Sequence, residues 1–146
     1  MTTFVALLRG INVGKAKRIA MADLRALVED AGFTQVRTLL NSGNVVFAGA
    51  KHPFPKLAAR LETAIETRVG FRPHVVVVDA AWVDVVVQEN PLTQADNPSR
   101  LLVGFVQDTD RLQSVRELVS RDYRWEAVAD RLGRIYDRLA AGGPTA

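Results

Sequence analysis

The chain has 146 residues, 48% of them hydrophobic and 24% charged, with a formal net charge of +3 and no cysteine. This length buries one substantial core or two small ones sharing an interface, and one compact unit is the default. Without cysteine there are no disulfides, zinc–thiolate sites or thiol nucleophiles; with neither a secretory leader pattern nor an apolar run near the roughly 20 residues of a membrane span, a cytoplasmic protein with no membrane partner is expected.

Residues 4–8, Phe-Val-Ala-Leu-Leu, read as a first strand. The next ten residues, 9–18, hold two glycines, an asparagine and four cations (Arg9, Lys15, Lys17, Arg18) with no acid. Elsewhere the two signs nearly balance, and a solvated mixed surface is expected there. Residues 21–31 read as a helix, because Leu24, Leu27, Val28 and Ala31 recur at helical spacing and Gly32 stands where a left-handed cap belongs. Residues 36–40 and 45–48 form two strands around the tight-turn sequence Asn41-Ser42-Gly43-Asn44. Pro53 and Pro55 open a second helix with Leu57, Leu61, Ala64, Ile65 and Val69 as its buried stripe, and Gly70 closes it. Residues 75–78 are a fourth strand. The order β-α-β-β-α-β is that of a ferredoxin-like sheet.

Beyond Asp79, Trp82, Val83, Val86 and Val87 have helical spacing, although valine favours strands. Residues 90–99, with two prolines and two asparagines, are a loop between halves. A strand at 101–106, a helix at 110–119 and a hairpin made by 124–129 and 134–139 then repeat β-α-β-β without the α-β of a complete second copy. The expected fold class is therefore α+β, a ferredoxin-like half over residues 1–89 and an incomplete second half over 100–140, packed as one compact unit. Strands 1, 3 and 4 are apolar at both parities, so both sheet faces are expected to be covered. That argues against an RNA-recognition platform, which needs exposed aromatics on the central strands, and makes Phe47 a core residue.

A ferredoxin-like strand order of 4-1-3-2 brings the exit of strand 1, the turn between strands 2 and 3 and the entry to strand 4 to one edge of the sheet. Arg9, Gly10, Asn12, Gly14, Lys15, Ser42, Gly43, Asn44 and Arg72 then become candidates to line one polar, positive pocket, where backbone N–H groups and cations converge on an anion. The alternative is that the glycines serve turn geometry, Asn and Ser cap turns, and the arginines are solvated. Both readings stand at this point.

Sharper motifs fall away. Gly10-x-x-x-Gly14-Lys15 is one residue short of a phosphate loop and lacks the following Ser or Thr, and no GxGxxG fingerprint or GxSxG elbow is present. His52 and His74 lie beside prolines with no second ligand at metal spacing, so no metal and no cofactor is expected. Catalytic residues cannot be named, Asp23 near the first helix start being the sole weak candidate for acid–base work. Trp125 and Tyr136, on the final hairpin, read as core packing in preference to a base-stacking pair.

The runs Leu7-Leu8-Arg9-Gly10-Ile11-Asn12-Val13-Gly14, Met21-Ala22-Asp23-Leu24-Arg25, Gly32-Phe33, Val36-Arg37-Thr38 and Asn41-Ser42-Gly43-Asn44-Val45-Val46-Phe47 resemble the hallmark of an uncharacterised bacterial family, domain of unknown function 1697. Asn90-Pro91-Leu92 and Gly133-Arg134-Ile135-Tyr136 are weaker matches. The resemblance implies a small α+β fold built from ferredoxin-like halves and no established activity. It also implies a second glycine where Lys15 stands, and a closing helix with a segment rich in Thr, Ala, Arg and Asn beyond the Tyr136 region. A chain without that segment is expected either to lack its function or to compensate as a homodimer through an unpaired edge strand.

Two functional expectations from different classes follow. The first is a binding module for an anionic small molecule, a nucleotide or phosphorylated metabolite, at the strand-1 loop and the Asn41–Asn44 turn. The alternative is a nucleic-acid-binding protein using Lys15, Lys17, Arg18 and neighbouring arginines on phosphates. A small enzyme of unidentified reaction comes third.

Overall fold

The computed structural model describes residues 1–90, 103–105, 113, 114 and 117. The elements in chain order are β1 (Thr2–Arg9), α1 (Met21–Asp30), β2 (Thr34–Leu39), β3 (Asn44–Gly49), α2 (Phe54–Val69), β4 (His74–Asp79) and α3 (Ala80–Glu89). The four strands form one antiparallel sheet in the order β2-β3-β1-β4. The chain divides into two compact units, Met1–Val85 and Val86–Ala146.

Each element follows from local chemistry. On β1, Phe4, Ala6 and Leu8 are buried at alternate positions, the period of a pleated strand. In α1 the buried residues Leu24, Leu27 and Val28 share one helical face. The helix then stops in a Schellman motif: Gly32 takes φ +85°, its N–H donates to Glu29 O at 2.8 Å, and the Phe33 N–H donates to Val28 O at 3.3 Å. α2 begins after Pro53, carries Pro55 in its first turn, and ends on Gly70 at φ +75°. The valine run of α3 is helical in spite of its strand propensity, a weak preference that context overrides.

The core lies between one face of the sheet and the helices α1 and α2. Phe4, Phe47, Leu24, Leu57, Leu61, Ile65, Val28, Val45, Val75 and Val77 are its largest fully buried side chains, each stabilising the fold by about 2 kcal/mol relative to exposure. Phe47 packs its ring 5.5 Å from Phe4 and 4.6 Å from Phe33. Both strand aromatics are therefore interior groups, and the described sheet presents no aromatic platform. On the opposite face Val76 and Val78 are buried, while Val5, Leu7 and Val46 are half-buried.

Three details differ from the sequence expectation. The β2–β3 turn spans residues 40–43 and Asn44 already opens β3, paired with Leu39. A register shift between Thr34 and Arg37 lengthens β2 at its start, with Gln35 at φ +52°. Residues 103–105, within the expected strand 101–106, are not in a strand; Gly104 at their centre contributes no side chain to a ladder. Within the expected helix 110–119 the described residues Gln113, Ser114 and Glu117 are helical. The expected loop at 91–99 and the final hairpin lie outside the described residues.

Candidate functional site

Antiparallel pairing dictates what meets at the end of β1. Leu7 pairs with Asn44 of β3 on one side, and Arg9 pairs with His74 of β4 on the other. The β1–α1 loop, the β2–β3 turn and the start of β4 therefore share one end of the sheet. Asn12 joins the first two. Its Nδ2 donates to Ile19 O at 3.0 Å and to Asn41 O at 2.9 Å, and its Oδ1 accepts from the Ile19 N–H at 2.9 Å. Its backbone N–H donates to Lys17 O at 2.9 Å. Both amide protons are engaged, so Asn12 builds the loop and has no side-chain donor left for a ligand. Its φ of +53° places it in the left-handed region, which asparagine tolerates better than most residues.

Gly43 is structural in the same sense. At φ +86° its Cα lies against Ile11, and a Cβ there would overlap Ile11 Cδ1 and stand 3.2 Å from Leu8 Cβ. Ile11 is itself buried, so the turn is seated on the loop by apolar contact as well as by Asn12. Gly10 and Gly14, at φ +80° and +62°, have open space where a side chain would go; backbone conformation, not crowding, accounts for glycine at both. Ser42 is exposed and accepts from Asn44 Nδ2 at 3.4 Å.

The loop's cations divide into two groups. Arg18 reaches back to Gly14 O at 2.8 Å and braces the loop. Arg9, Lys15 and Lys17 are exposed and make no side-chain hydrogen bond or ion pair among the described residues. Where the loop meets the β2–β3 turn, a cleft of about 410 Å³ is lined by Asn12, Arg18, Ile19, Ala20, Met21 and Asn41. It opens on the first residues of α1, whose N-cap Ala20 offers no side-chain cap to the helix N–H groups. Of these lining residues the sequence candidates for the anion pocket included Asn12 alone, and the nucleic-acid reading included Arg18. Arg18 was visible within the cation run and Asn41 within the turn, but no pattern along the chain distinguishes a lining residue from a neighbour.

Arg72 goes elsewhere. Its guanidinium donates to Glu62 Oε2 at 3.0 and 3.2 Å and to Glu66 Oε2 at 3.1 Å, one turn apart on α2. The hydrogen bond to Glu66, and then that to Glu62, raises its pKa above the ordinary guanidinium value. Glu62 Oε1 also accepts from the Val75 N–H at 3.0 Å and stands 3.7 Å from His74 Nδ1. This cluster ties α2 to β4 and satisfies its own charges. The structure therefore brings Arg9, Gly10, Asn12, Gly14, Lys15, Ser42, Gly43 and Asn44 to one end of the sheet and directs Arg72 to α2.

A second cleft, about 390 Å³, is lined by Phe4, Lys51, His52, Pro53, Phe54 and Asp79. The Asp79 carboxylate there accepts from the Ala81 N–H at 2.9 Å, within the first turn of α3. Among the described residues no group of three or more His, Cys, Asp or Glu could hold a metal ion, and no helix is long and apolar enough to cross a membrane.

Residues 1–136 match a family described as protein of unknown function, DUF1697. The chain belongs to the DUF1697 family. Both glycine-bearing segments joined by Asn12 lie within the matched region. Among solved structures the DUF1697 chain is similar to a conserved bacterial protein, SP0830 from Streptococcus pneumoniae, with a TM-score of 0.65 and 28% sequence identity. That match covers 80% of this chain and 66% of SP0830. No curated protein matches.

Proposed function

We propose that this DUF1697 chain is a binding module for an anionic small molecule, a nucleotide or phosphorylated metabolite, held where the β1–α1 loop meets the β2–β3 turn. One observation carries the reading: at the end of β1 and on the loop that follows, a loop braced by Asn12 and Arg18 where both line a cleft, Arg9, Lys15 and Lys17 stand exposed with no partner among the described residues. A cation that meets no carboxylate among the described residues is available to a ligand's charge, and a preformed wall lowers the ordering cost of binding. The uncapped first turn of α1 adds N–H groups and the positive end of a helix dipole at the same cleft. Arg72 is left out of this site because Glu62 and Glu66 hold it.

The reading takes residues 1–89 as a ferredoxin-like half, on the strength of the order β2-β3-β1-β4, and the setting as cytoplasmic, where such anions are abundant. The nucleic-acid alternative draws on the same cations, but the buried rings of Phe4 and Phe47 leave no stacking surface on the central strands for bases.

Titration calorimetry with pyrophosphate and adenosine monophosphate tests the proposal. Arg9→Ala is expected to weaken binding by about 1.5–3 kcal/mol, the range for a hydrogen bond to a charged group. Equal affinity in the two proteins removes Arg9 from the site. Binding of an oligonucleotide that falls steeply and linearly with log salt, with no binding of either small anion, would replace this reading with the nucleic-acid one.

A further inference from the structure

We propose that the cleft of about 390 Å³ beside Phe54 is a second binding site, for a small zwitterion with an aromatic side chain, that is, a free aromatic α-amino acid. It is separate from the proposed anion site, and the two linings share no residue. Phe4 and Asp79, paired across β1 and β4, both line it. Arg9, at the other end of β1, is five residues on from Phe4, roughly 17 Å at about 3.4 Å per residue. The volume falls near the lower end of the roughly 300–1,000 Å³ of small-molecule sites.

The lining matches such a molecule part by part. Phe54 and Pro53 supply an apolar wall, and the cleft reaches down to the fully buried Phe4. The Phe54 ring is held edge to face by two others, 6.3 Å from Phe4 and 5.6 Å from Trp82, so the wall is formed before any ligand arrives. Lys51 is exposed and makes no side-chain hydrogen bond or ion pair among the described residues. Asp79 brings the opposite charge. Its Oδ1 accepts from the Ala81 N–H at 2.9 Å, which anchors the carboxylate at the start of α3, while Oδ2 has no partner among the described residues. Capping thus accounts for one oxygen of Asp79 and leaves the other. Lys51 and Asp79 line one cleft with opposite charges and do not pair with each other. A simple anion would meet the Asp79 carboxylate, and a simple cation would meet Lys51. A zwitterion suits both, with its carboxylate toward Lys51, its ammonium toward Asp79 and its ring on the Phe54 wall.

The test is calorimetry on the full chain with L-phenylalanine, with 3-phenylpropanoate, which lacks the ammonium, and with phenethylamine, which lacks the carboxylate. Phenylalanine is expected to bind about tenfold more tightly than either analogue, the low end for a hydrogen bond between charged groups. Asp79→Asn keeps an oxygen to cap α3 and so keeps the fold. It is expected to weaken phenylalanine about tenfold and to leave 3-phenylpropanoate unchanged. Lys51→Met, at an exposed position without partners among the described residues, is expected to weaken phenylalanine and 3-phenylpropanoate alike and to leave phenethylamine unchanged. No binding of phenylalanine overturns the proposal, as does equal affinity for the amino acid and either analogue. Unchanged phenylalanine affinity in Asp79→Asn or in Lys51→Met overturns it too. The anion reading stands or falls separately, because its probes and its residues are different ones.

Discussion

The β1–α1 loop and the α2–β4 junction stand at the same end of one sheet, linked through the Arg9–His74 pair, and both are rich in cations. They treat those cations in opposite ways. At the junction Arg72 meets two glutamates one helical turn apart, Glu62 also takes up the Val75 N–H, and the charges are satisfied within the chain. On the loop no acid occurs among residues 9–18, and Arg9, Lys15 and Lys17 have no side-chain partner among the described residues, while Asn12 closes its own hydrogen bonds. The lesson is that positive charge marks a candidate site only where the neighbouring elements supply no carboxylate. The junction holds its charge within the chain; on the proposed reading, the loop presents its charge to a ligand.

That contrast can be broken at several points. The largest effect is expected from Gly43→Ala, which adds a Cβ into Ile11 at φ +86° and should cost about 3 kcal/mol in stability, read as a lower midpoint in urea. A fully stable variant would mean that the turn is not seated on the loop. Asn12→Ala removes three side-chain hydrogen bonds and leaves the part-buried Ile19 N–H unpaired, for an expected loss of about 2 kcal/mol and weaker anion binding through a loosened cleft. Retained stability with lost binding would instead make Asn12 a direct ligand contact.

Smaller effects belong to the junction. Glu62→Ala strands the Val75 N–H and is expected to cost about 1 kcal/mol without changing affinity for any anion. The smallest is Arg72→Ala, an exposed ion pair for which a slight fall in melting temperature and unaltered pyrophosphate affinity are expected. Lost affinity in Arg72→Ala would erase the division between the two regions and restore Arg72 to the site. Arg72 is a cation whose pKa is raised on folding, so its contribution is complete throughout neutral and moderately alkaline solution and is lost only above the ordinary guanidinium range.

Local order was legible along the chain. The period of Leu24, Leu27 and Val28, the prolines and glycine that bracket α2, and the turn residues between β2 and β3 each specify an element through interactions within a few residues, and the strand order follows from chaining those elements. The end of the sheet at which the loops gather was legible for the same reason. What each side chain does there was not. Asn12 reads equally well as a ligand contact or a turn cap until Ile19 and Asn41 are seen to take both its amide protons, the latter from 29 residues away. Arg72 reads as a pocket cation until α2 turns Glu62 and Glu66 toward it. The sequence by itself determined the elements of residues 2–89, their order and the charge imbalance of residues 9–18, all properties of short stretches. The tertiary structure alone decided which polar groups are already satisfied, because a hydrogen bond or ion pair between distant segments depends on how packing aims them, and residue type and spacing do not encode that direction.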